Sequence, residues 1–414
     1  MEQLQRYARG ELICFLLLVG LLGNKVSGKE SGFSFREGVT QTKISIEIQN
    51  NLILFPIRIN GSFEMNFILD TGVRTTILTE PVIASFLEID STETISVRGL
   101  GEGEAIEANL ARNVSIDLPG VMGRGINMVI LPQGLVSYSE LFGKPVYGII
   151  GFELFRSFVV EINYAKKYVK LTSPFDFNPK KKWEKLPIQI RRGKPYVNAE
   201  IHLPNGEMET HSWLMDTGSS QALSMYSESL GDPEPSIYTL LGQGLNGSIF
   251  GKLARIPQFS LGKYTFQAVV SAFPDPEALG ITSGRNSEWY GNLGSDILSR
   301  FTLIYNYQVG AVYLKKGARL KRAFEYNLSG VEVLAGGLTY DEFRVSYVRP
   351  DSPAARSGLQ SGDEILRING VSVSEVEIGE LYGMINKKAG KRISLLIQRD
   401  EKSYRCNFVL EQEI

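Results

Sequence analysis

The sequence predicts a mainly β protein in which two copies of one β lobe are followed by a smaller α+β domain. The first observation is a series of β-branched and aromatic runs, broken by Gly, Asn and Pro, between about Thr42 and Leu314. The second is internal repetition, since the segment NFILDTG is echoed by SWLMDTG. The third is a change of pattern from about Phe324, where helical and turn-rich segments alternate with strands. At 414 residues the chain is long enough to form several such domains.

The first 28 residues are predicted to be a secretory signal peptide. Arg6 and Arg9 precede an apolar core at residues 12–22, and the small residues VSG at 26–28 supply the expected cleavage site. An uncleaved membrane anchor is the alternative, although the apolar stretch is short for a stable span. We therefore expect a periplasmic or secreted protein, which contacts the membrane only if the segment is retained.

Charge and cysteine content narrow the classes of function. The chain has 44 basic and 45 acidic residues, and its longest basic run is the lysine triplet at 180–182. A nucleic-acid partner normally leaves a basic footprint, so we expect no such partner. Of the two cysteines, only Cys406 remains after signal cleavage, and the mature chain cannot form an internal disulfide. This fits bacterial export better than a cysteine-rich secretory setting.

The repeat keeps its spacing over most of its length. Gly151 lies 81 positions after Asp70, and Gly294 lies 78 positions after Asp216. The glycine-rich segments between them show the same three-residue difference, so one small length change explains both offsets. The resulting boundaries are lobe one at residues 42–173, a proline- and lysine-rich linker at 174–187 and lobe two at 188–317.

Two Asp-Thr-Gly tripeptides at matching places in a repeat indicate a paired-carboxylate site. A pseudo-twofold pairing of the lobes would bring Asp70 and Asp216 to one axis. Two carboxylates about 3 Å apart share a proton, which leaves one base and one acid in the same site. Each tripeptide glycine removes a side chain where the carboxylates must approach, and each threonine brings a hydroxyl for buried backbone groups. Such a pair can activate a water for peptide hydrolysis without a metal.

The doubled motif is similar to that of the aspartic peptidases, in the bacterial form whose two retropepsin-like units make a pepsin-like pseudodimer. The resemblance covers residues 42–317 and includes the later apolar-glycine elements at 149–151 and 292–294. It implies that Asp70 and Asp216 form the catalytic dyad, that the threonines brace the two loops and that glycine-rich flaps close over an extended peptide. The implied supporting residues are Thr71, Gly72, Thr217, Gly218 and Ser219. The implied flap residues are Gly99, Leu100, Gly101, Gly242, Gln243 and Gly244, within 99–103 and 242–247.

Three residues depart from the family pattern. Val73 stands where the family has Ser, Thr or Ala, whereas Ser219 fits that position in the second copy. Because valine cannot hydrogen-bond a carboxylate, we expect the two aspartates to be inequivalent, with the cause beside the first of them. Arg74 is expected to face solvent; a head group turned inward would instead hold the first aspartate ionised. Asn292 replaces an apolar residue, which leaves the packing behind the second loop open.

Other chemistries are poorly supported by the sequence. His202 and His211 have no metal-ligand spacing, and a structural or surface role is expected for His211. The segment GLGEG lacks the lysine and helix start of a phosphate-binding loop. We therefore expect neither a cofactor nor a metal.

The C-terminal segment at 324–414 closely resembles the PDZ domains of bacterial exported proteases. The resemblance rests on residues 352–373, where a short helix and two glycine turns precede a strand and an Asn-Gly turn. PDZ domains capture chain ends by adding a strand to a sheet edge. Here the implied carboxylate-binding residues are Leu328, Ser329, Gly330 and Val331, followed by the strand VEVL and a facing helix at 378–385. Docking of this domain on the protease lobes or on a partner is the alternative to peptide capture.

The sequence thus predicts an exported aspartic endopeptidase with a PDZ domain. Its expected partners are a peptide or protein substrate and a C-terminal peptide ligand of the PDZ domain, and the chain is expected to be a monomer. The alternative is a catalytically inactive peptide-binding or scaffold protein that retains the protease fold.

Overall fold

The structure is a computed structural model that describes residues 31–414, except 136, 204–205, 226–232, 280–289 and 387. The expected signal peptide at 1–28 lies outside the described residues. Strands make up 51% of the described residues and helices 11%, which confirms the mainly β fold. No helix in the described part is long and apolar enough to cross a membrane.

Lobe one and the strand that precedes it are built mainly from strands, with two short helices near the end. Their elements are β1 (Gly32–Phe35), β2 (Gln41–Ser45), β3 (Glu47–Gln49), β4 (Leu52–Ile59), β5 (Glu64–Leu69), β6 (Thr76–Leu78), a 3₁₀ turn (Pro81–Ile83), β7 (Ser91–Val97), β8 (Ile106–Leu118), β9 (Val121–Ile130), α1 (Tyr138–Phe142), β10 (Gly148–Ile150), α2 (Phe152–Ser157), β11 (Val159–Asn163) and β12 (Tyr168–Thr172).

The elements described for lobe two follow the same order, without counterparts of β1 and β3. They are β13 (Glu184–Arg191), β14 (Lys194–His202), β15 (Met208–Met215), β16 (Leu223–Met225), β17 (Ser236–Gly244), β18 (Gly247–Leu261), β19 (Tyr264–Pro274), a 3₁₀ turn (Pro276–Leu279), β20 (Gly291–Leu293), α3 (Ser295–Leu298), β21 (Phe301–Asn306), a 3₁₀ turn (Tyr307–Val309) and β22 (Ala311–Lys316).

The repeat seen in the sequence is also a repeat of strand pairing. In lobe one, β10 runs parallel to β5 and antiparallel to β6, while β9 runs parallel to β6. In lobe two, β20 runs parallel to β15 and antiparallel to β16, while β19 runs parallel to β16. Because β10 and β20 lie between the strands on either side of each aspartate loop, each loop is held by the same crossing.

The two lobes share a continuous sheet. β11 of lobe one pairs antiparallel with β21 of lobe two, and the strand order across the junction is β2-β12-β11-β21-β22-β13. β13 is therefore the counterpart of β2. It begins at Glu184, inside the segment expected to be a linker at 174–187, because Glu184–Pro187 pairs with Ala311–Leu314 of β22. In the described chain, the connection between β12, the last strand of lobe one, and β13, the first strand of lobe two, therefore ends before Glu184.

The C-terminal domain has its own sheet and its own apolar core. Its elements are β23 (Val331–Gly336), β24 (Glu342–Val348), α4 (Pro353–Arg356), β25 (Glu364–Ile368), β26 (Val371–Ser372), a 3₁₀ turn (Val373–Glu375), α5 (Ile378–Ile385), β27 (Arg392–Arg399) and β28 (Lys402–Val409). Ser352 caps α4 by accepting the Ala355 amide at 3.2 Å, and Pro353 fills the first helical position. The helix predicted at 378–385 is α5.

Candidate active site

Each lobe presents one aspartate directly after a buried strand. Asp70 follows β5, and its amide donates to the Ile150 carbonyl of β10 at 2.8 Å. Asp216 follows β15, and its amide donates to the Leu293 carbonyl of β20 at 2.9 Å. The strand residues before each aspartate are apolar and buried, so both carboxyl groups stand in low-dielectric surroundings.

Thr71 and Thr217 join the two aspartate loops. Thr217 Oγ1 accepts the Thr71 amide at 3.0 Å and donates to the Leu69 carbonyl at 2.8 Å. Thr71 Oγ1 accepts the Thr217 amide at 3.0 Å and donates to the Met215 carbonyl at 2.6 Å. Both threonines are fully buried, so these bonds satisfy backbone groups that water cannot reach. The hydroxyls therefore hold the loops in register across the pseudo-twofold axis.

Gly72 and Gly218 let the two carboxyl groups meet. The Gly72 amide donates to Asp70 Oδ1 at 2.6 Å, and the Gly218 amide donates to Asp216 Oδ1 at 2.9 Å. A Cβ on Gly218 would overlap the Asp70 carboxyl group, and a Cβ on Gly72 would lie 3.2 Å from Asp216 Oδ1. With this space free, the two carboxyl groups face each other closely enough for a protonated one to hydrogen-bond to the other.

The surroundings of the pair favour one shared proton. Burial raises the pKa of Asp70 well above its usual range, and the charge of Asp216 raises it further. Burial also raises the pKa of Asp216, but the hydrogen bonds from Asp70 and the Gly218 amide and the charge of Lys194 oppose the rise. One carboxyl can thus stay protonated while the other is ionised, which supplies an acid and a base in one place.

The two halves of the site differ at matching positions. Asn292 Nδ2 donates to Asp216 Oδ2 at 2.6 Å, whereas Ile149, at the equivalent position of lobe one, has no donor to offer. The expectation that asymmetry arises beside Asp70 is thus incomplete, because a donor beside Asp216 also contributes. Sequence reasoning missed this contact, although an asparagine at an apolar position of the repeat was the signal for it.

The residues that follow the two Asp-Thr-Gly tripeptides take different positions. Val73 packs against the apolar cluster of lobe one. Arg74 is exposed, as expected. Ser219 makes backbone bonds, since its amide donates to the Asp216 carbonyl at 3.4 Å and its carbonyl accepts the Ser295 amide at 2.7 Å.

The two glycine-rich hairpin tips meet through Asn246. The Gly99 amide donates to Asn246 Oδ1 at 2.5 Å, and the Gly103 amide donates to the Asn246 carbonyl at 2.8 Å. The Asn246 amide donates to the Leu100 carbonyl at 3.0 Å, and Gly101 lies against the Asn246 backbone. The predicted flap residues of lobe one are thus joined to Asn246, which lies within the predicted second flap at 242–247 but was not among its named residues.

The predicted flap residues of lobe two lie on the strand that leads to the same contact. Gly242 follows a register shift in β17, and Gln243 accepts a hydrogen bond from Ser248 at 3.2 Å. A Cβ on Gly244 would overlap the Leu100 carbonyl, which explains the glycine there. The neighbouring Leu245 packs against the same apolar cluster as Val73. The joined tips therefore lie on the side of lobe one that carries the Asp70 loop.

The predicted carboxylate-binding loop of the PDZ domain is bonded within itself. The amides of Ser329 and Gly330 donate to Asn327 Oδ1 at 3.1 and 3.0 Å. The Val331 amide donates to Ser329 Oγ at 3.2 Å. Leu328 packs against both the protease core and the PDZ core. The amides that a terminal carboxylate would use are thus engaged in this structure.

The groove between β23 and α5 is also occupied by contacts within the chain. Tyr382 on α5 accepts the Val333 amide at 2.9 Å and donates to Glu332 at 2.9 Å. Helix α1 of lobe one lies alongside β23. A Cβ on Gly143, which ends α1, would lie 2.8 Å from Ile378 Cγ2 of α5. The strand edge that PDZ domains use for peptides is thus covered by Tyr382 and by lobe one.

The PDZ domain also contacts the second hairpin. Tyr347 of β24 packs edge-to-face with Phe250 of β18, with ring centroids 5.7 Å apart. The same tyrosine lies beside Thr239 and the Leu240 backbone of β17. Of the two alternatives left open by the sequence, docking on the protease lobes is therefore the arrangement in this structure.

Removal of the Tyr382 hydroxyl should free the strand edge for a peptide. We expect Tyr382→Phe to tighten binding of a peptide with a free C-terminal carboxylate by roughly fivefold, since the hydrogen bonds lost inside the chain are worth about 1 kcal/mol. Fluorescence anisotropy of a labelled peptide, with its C-terminally amidated form as control, measures the change. Unchanged or weaker binding would show that Tyr382 does not compete with the peptide.

Comparisons with known proteins support two of these domains directly. Residues 55–154 match the family model described as aspartyl protease, and residues 344–399 match the model described as PDZ domain. A curated relative, the probable periplasmic serine endoprotease DegP-like of Marinomonas sp. (strain MWYL1), is 40% identical over 68 residues. The matched segment spans 16% of this chain and 14% of that protein. The aspartyl protease match includes the Asp70 loop, and the chain therefore carries an aspartyl protease domain and a C-terminal PDZ domain.

Proposed function

We propose that the protein is an aspartic-type endopeptidase that hydrolyses peptide bonds with Asp70 and Asp216. The observation that carries this proposal is the pair of facing carboxyl groups beside Gly72 and Gly218, whose loops two threonines hold in register. The Asp-Thr-Gly loop and its strand crossing occur in both lobes, whereas the aspartyl protease family match covers residues 55–154 of lobe one. Hydrolysis needs an acid and a base in one site, and a shared proton supplies both.

The chemistry follows from the shared proton. The ionised carboxylate takes a proton from a water as the water oxygen bonds to the carbonyl carbon, and the protonated carboxyl donates to the carbonyl oxygen. The tetrahedral intermediate then loses its amine as the C–N bond breaks and a proton passes to nitrogen. The two carboxyl groups return to their starting state, and no covalent enzyme intermediate is formed.

The substrate class follows from the surroundings of the pair. The joined hairpin tips and the two lobes suit an extended peptide, and the PDZ domain supports peptide binding. The basic, apolar and small-residue pattern of the first 28 residues supports export, and the curated relative carries the word periplasmic in its name. We therefore place the activity in the periplasm or outside the cell.

A serine mechanism, suggested by the name of that relative, fits this chain less well. The chain has two histidines, and both have other partners. His202 Nε2 hydrogen-bonds to Gln258 at 2.9 Å, while His211 Nε2 hydrogen-bonds to Glu209 at 2.5 Å and stacks on Tyr290. A serine nucleophile needs a histidine or another base within hydrogen-bond reach.

Inhibitors of different chemistry test the catalytic type. We expect the chain to cleave members of a mixed peptide library between about pH 3 and 8 and to be blocked by a peptide with a secondary alcohol in place of the scissile amide, because that group imitates the tetrahedral intermediate. A serine-directed fluorophosphonate should leave cleavage unchanged. Inhibition by the fluorophosphonate alone would overturn the proposal. No cleavage at any pH would favour the inactive peptide-binding alternative.

A further inference from the structure

The two aspartates differ in the number of donors that reach their carboxyl oxygens. Asp216 accepts from the Gly218 amide on Oδ1 and from Asn292 Nδ2 on Oδ2. Among the hydrogen bonds of the described residues, Asp70 accepts from the Gly72 amide on Oδ1 and has no second donor like Asn292, and its carboxyl neighbour is Asp216. A carboxylate with donors on both oxygens is stabilised as the anion.

The repeat shows that this difference is specific to lobe two. β10 and β20 cross behind the two loops in the same register, with Ile149 opposite Ile68 and Asn292 opposite Leu214. Asn292 is buried and bonded only to the catalytic carboxylate among the side-chain hydrogen bonds of the described residues. Burying an amide at a position that is apolar in the other lobe costs free energy and brings no gain in apolar packing.

We propose that Asn292 is a positioning residue that keeps Asp216 ionised and so places the shared proton of the dyad on Asp70. This inference rests on the proposed dyad and assigns its two roles. Asp216 then takes the proton of the attacking water, and Asp70 donates its proton to the substrate carbonyl oxygen. In the second half of the reaction, the proton gained by Asp216 passes to the leaving nitrogen and Asp70 recovers a proton from the intermediate.

Other titratable groups lie around Asp216. They are Asp70, Lys194, Tyr164 and Tyr305. Asp70 and Lys194 favour the anion of Asp216, and both remain when Asn292 is replaced. Because these groups remain, the difference in carboxyl pKa between the wild type and an Asn292 variant reports the contribution of Asn292.

Substitution by the residue of lobe one isolates the contribution of Asn292. We expect Asn292→Ile to raise the lower pKa of the dyad by about 1 to 2 pH units, the effect of losing one hydrogen bond to a charged group. Carbon-13 NMR of labelled aspartate carboxyls in the full chain measures it, with assignments from Asp70→Asn and Asp216→Asn. In the pH profile of kcat/KM, the acid limb should move to higher pH by the same amount. Asn292→Leu should behave alike, which separates lost hydrogen bonding from altered shape.

Moving the amide to the other lobe supplies the matched control. In the double variant Ile149→Asn with Asn292→Ile, the carboxyl that titrates first should be that of Asp70. Unchanged titrations in Asn292→Ile and Asn292→Leu would overturn the proposal, as would a double variant in which Asp216 still titrates first. The carboxyl titration does not require substrate. The absence of peptide cleavage would therefore contradict the proposed function, while the titration would still decide the role of Asn292.

Discussion

Asp216→Asn and Asp70→Asn should each lower kcat/KM for peptide cleavage by about 10³-fold or more, because one carboxyl cannot act as base and acid in the same step. Asparagine keeps the shape of the side chain, and the Gly72 and Gly218 amides can still donate to its oxygen. Initial rates on a cleavable peptide from the library measure the loss. Glu161→Gln, on a strand shared by the lobes and outside the dyad, is the matched carboxyl control and should keep wild-type rates. Cleavage by either dyad variant at the wild-type rate would contradict the mechanism.

The same substitutions should reveal that the dyad is costly for folding. Because burial raises the pKa of Asp70, the folded chain binds a proton at pH values where the unfolded chain has released it. This contribution is fully present below the unfolded pKa, and it is lost as the pH rises through the folded pKa. The free energy of unfolding of the wild type should therefore fall across that window, and Asp70→Asn should fall less. Unfavourable burial of ionisable groups is common in active sites, where function is favoured over stability.

The central part of the site could be predicted from the sequence because the chain is repeated. Asp70 and Asp216 occupy the same place in two copies of one strand arrangement, and a twofold pairing of such copies brings equivalent residues together. The resemblance to the aspartic peptidases implied that Thr71 and Thr217 brace the loops, and in the structure each hydroxyl bonds to the opposite loop.

Features that depend on one copy alone were harder to predict. The Gly99 contact joins it to Asn246, 147 positions away, and no local pattern indicates this partner. β13 begins within the expected linker because it pairs with β22, which also lies far along the chain. The Tyr382 hydroxyl reaches Val333 across 49 positions, and side-chain direction decides that contact. Composition and periodicity carry no information about such long-range partners.

The threonine cross-brace should matter for both stability and activity. Thr217 Oγ1 is the partner of the Thr71 amide and of the Leu69 carbonyl, and both groups are shielded from water. Valine has nearly the shape of threonine, so Thr217→Val opens no cavity and removes the hydroxyl alone. It leaves a buried donor and a buried acceptor unpaired, and each unpaired group costs about 1 to 3 kcal/mol.

We therefore expect Thr217→Val to lower the free energy of unfolding by about 2 to 5 kcal/mol and kcat by about tenfold or more, since a loop displaced by a fraction of an ångström no longer holds the carboxyl groups in contact. Thr217→Ser retains the hydroxyl and loses one methyl group, so it should keep most of the activity. Hydrogen exchange of the Thr71 amide reports the loss of its partner directly, and it does not assume two-state unfolding of a multidomain chain. Equal exchange rates in the valine and serine variants would show that the hydroxyl does not hold the loop. Faster exchange with unchanged kcat would mean that the brace stabilises the fold but does not position the dyad.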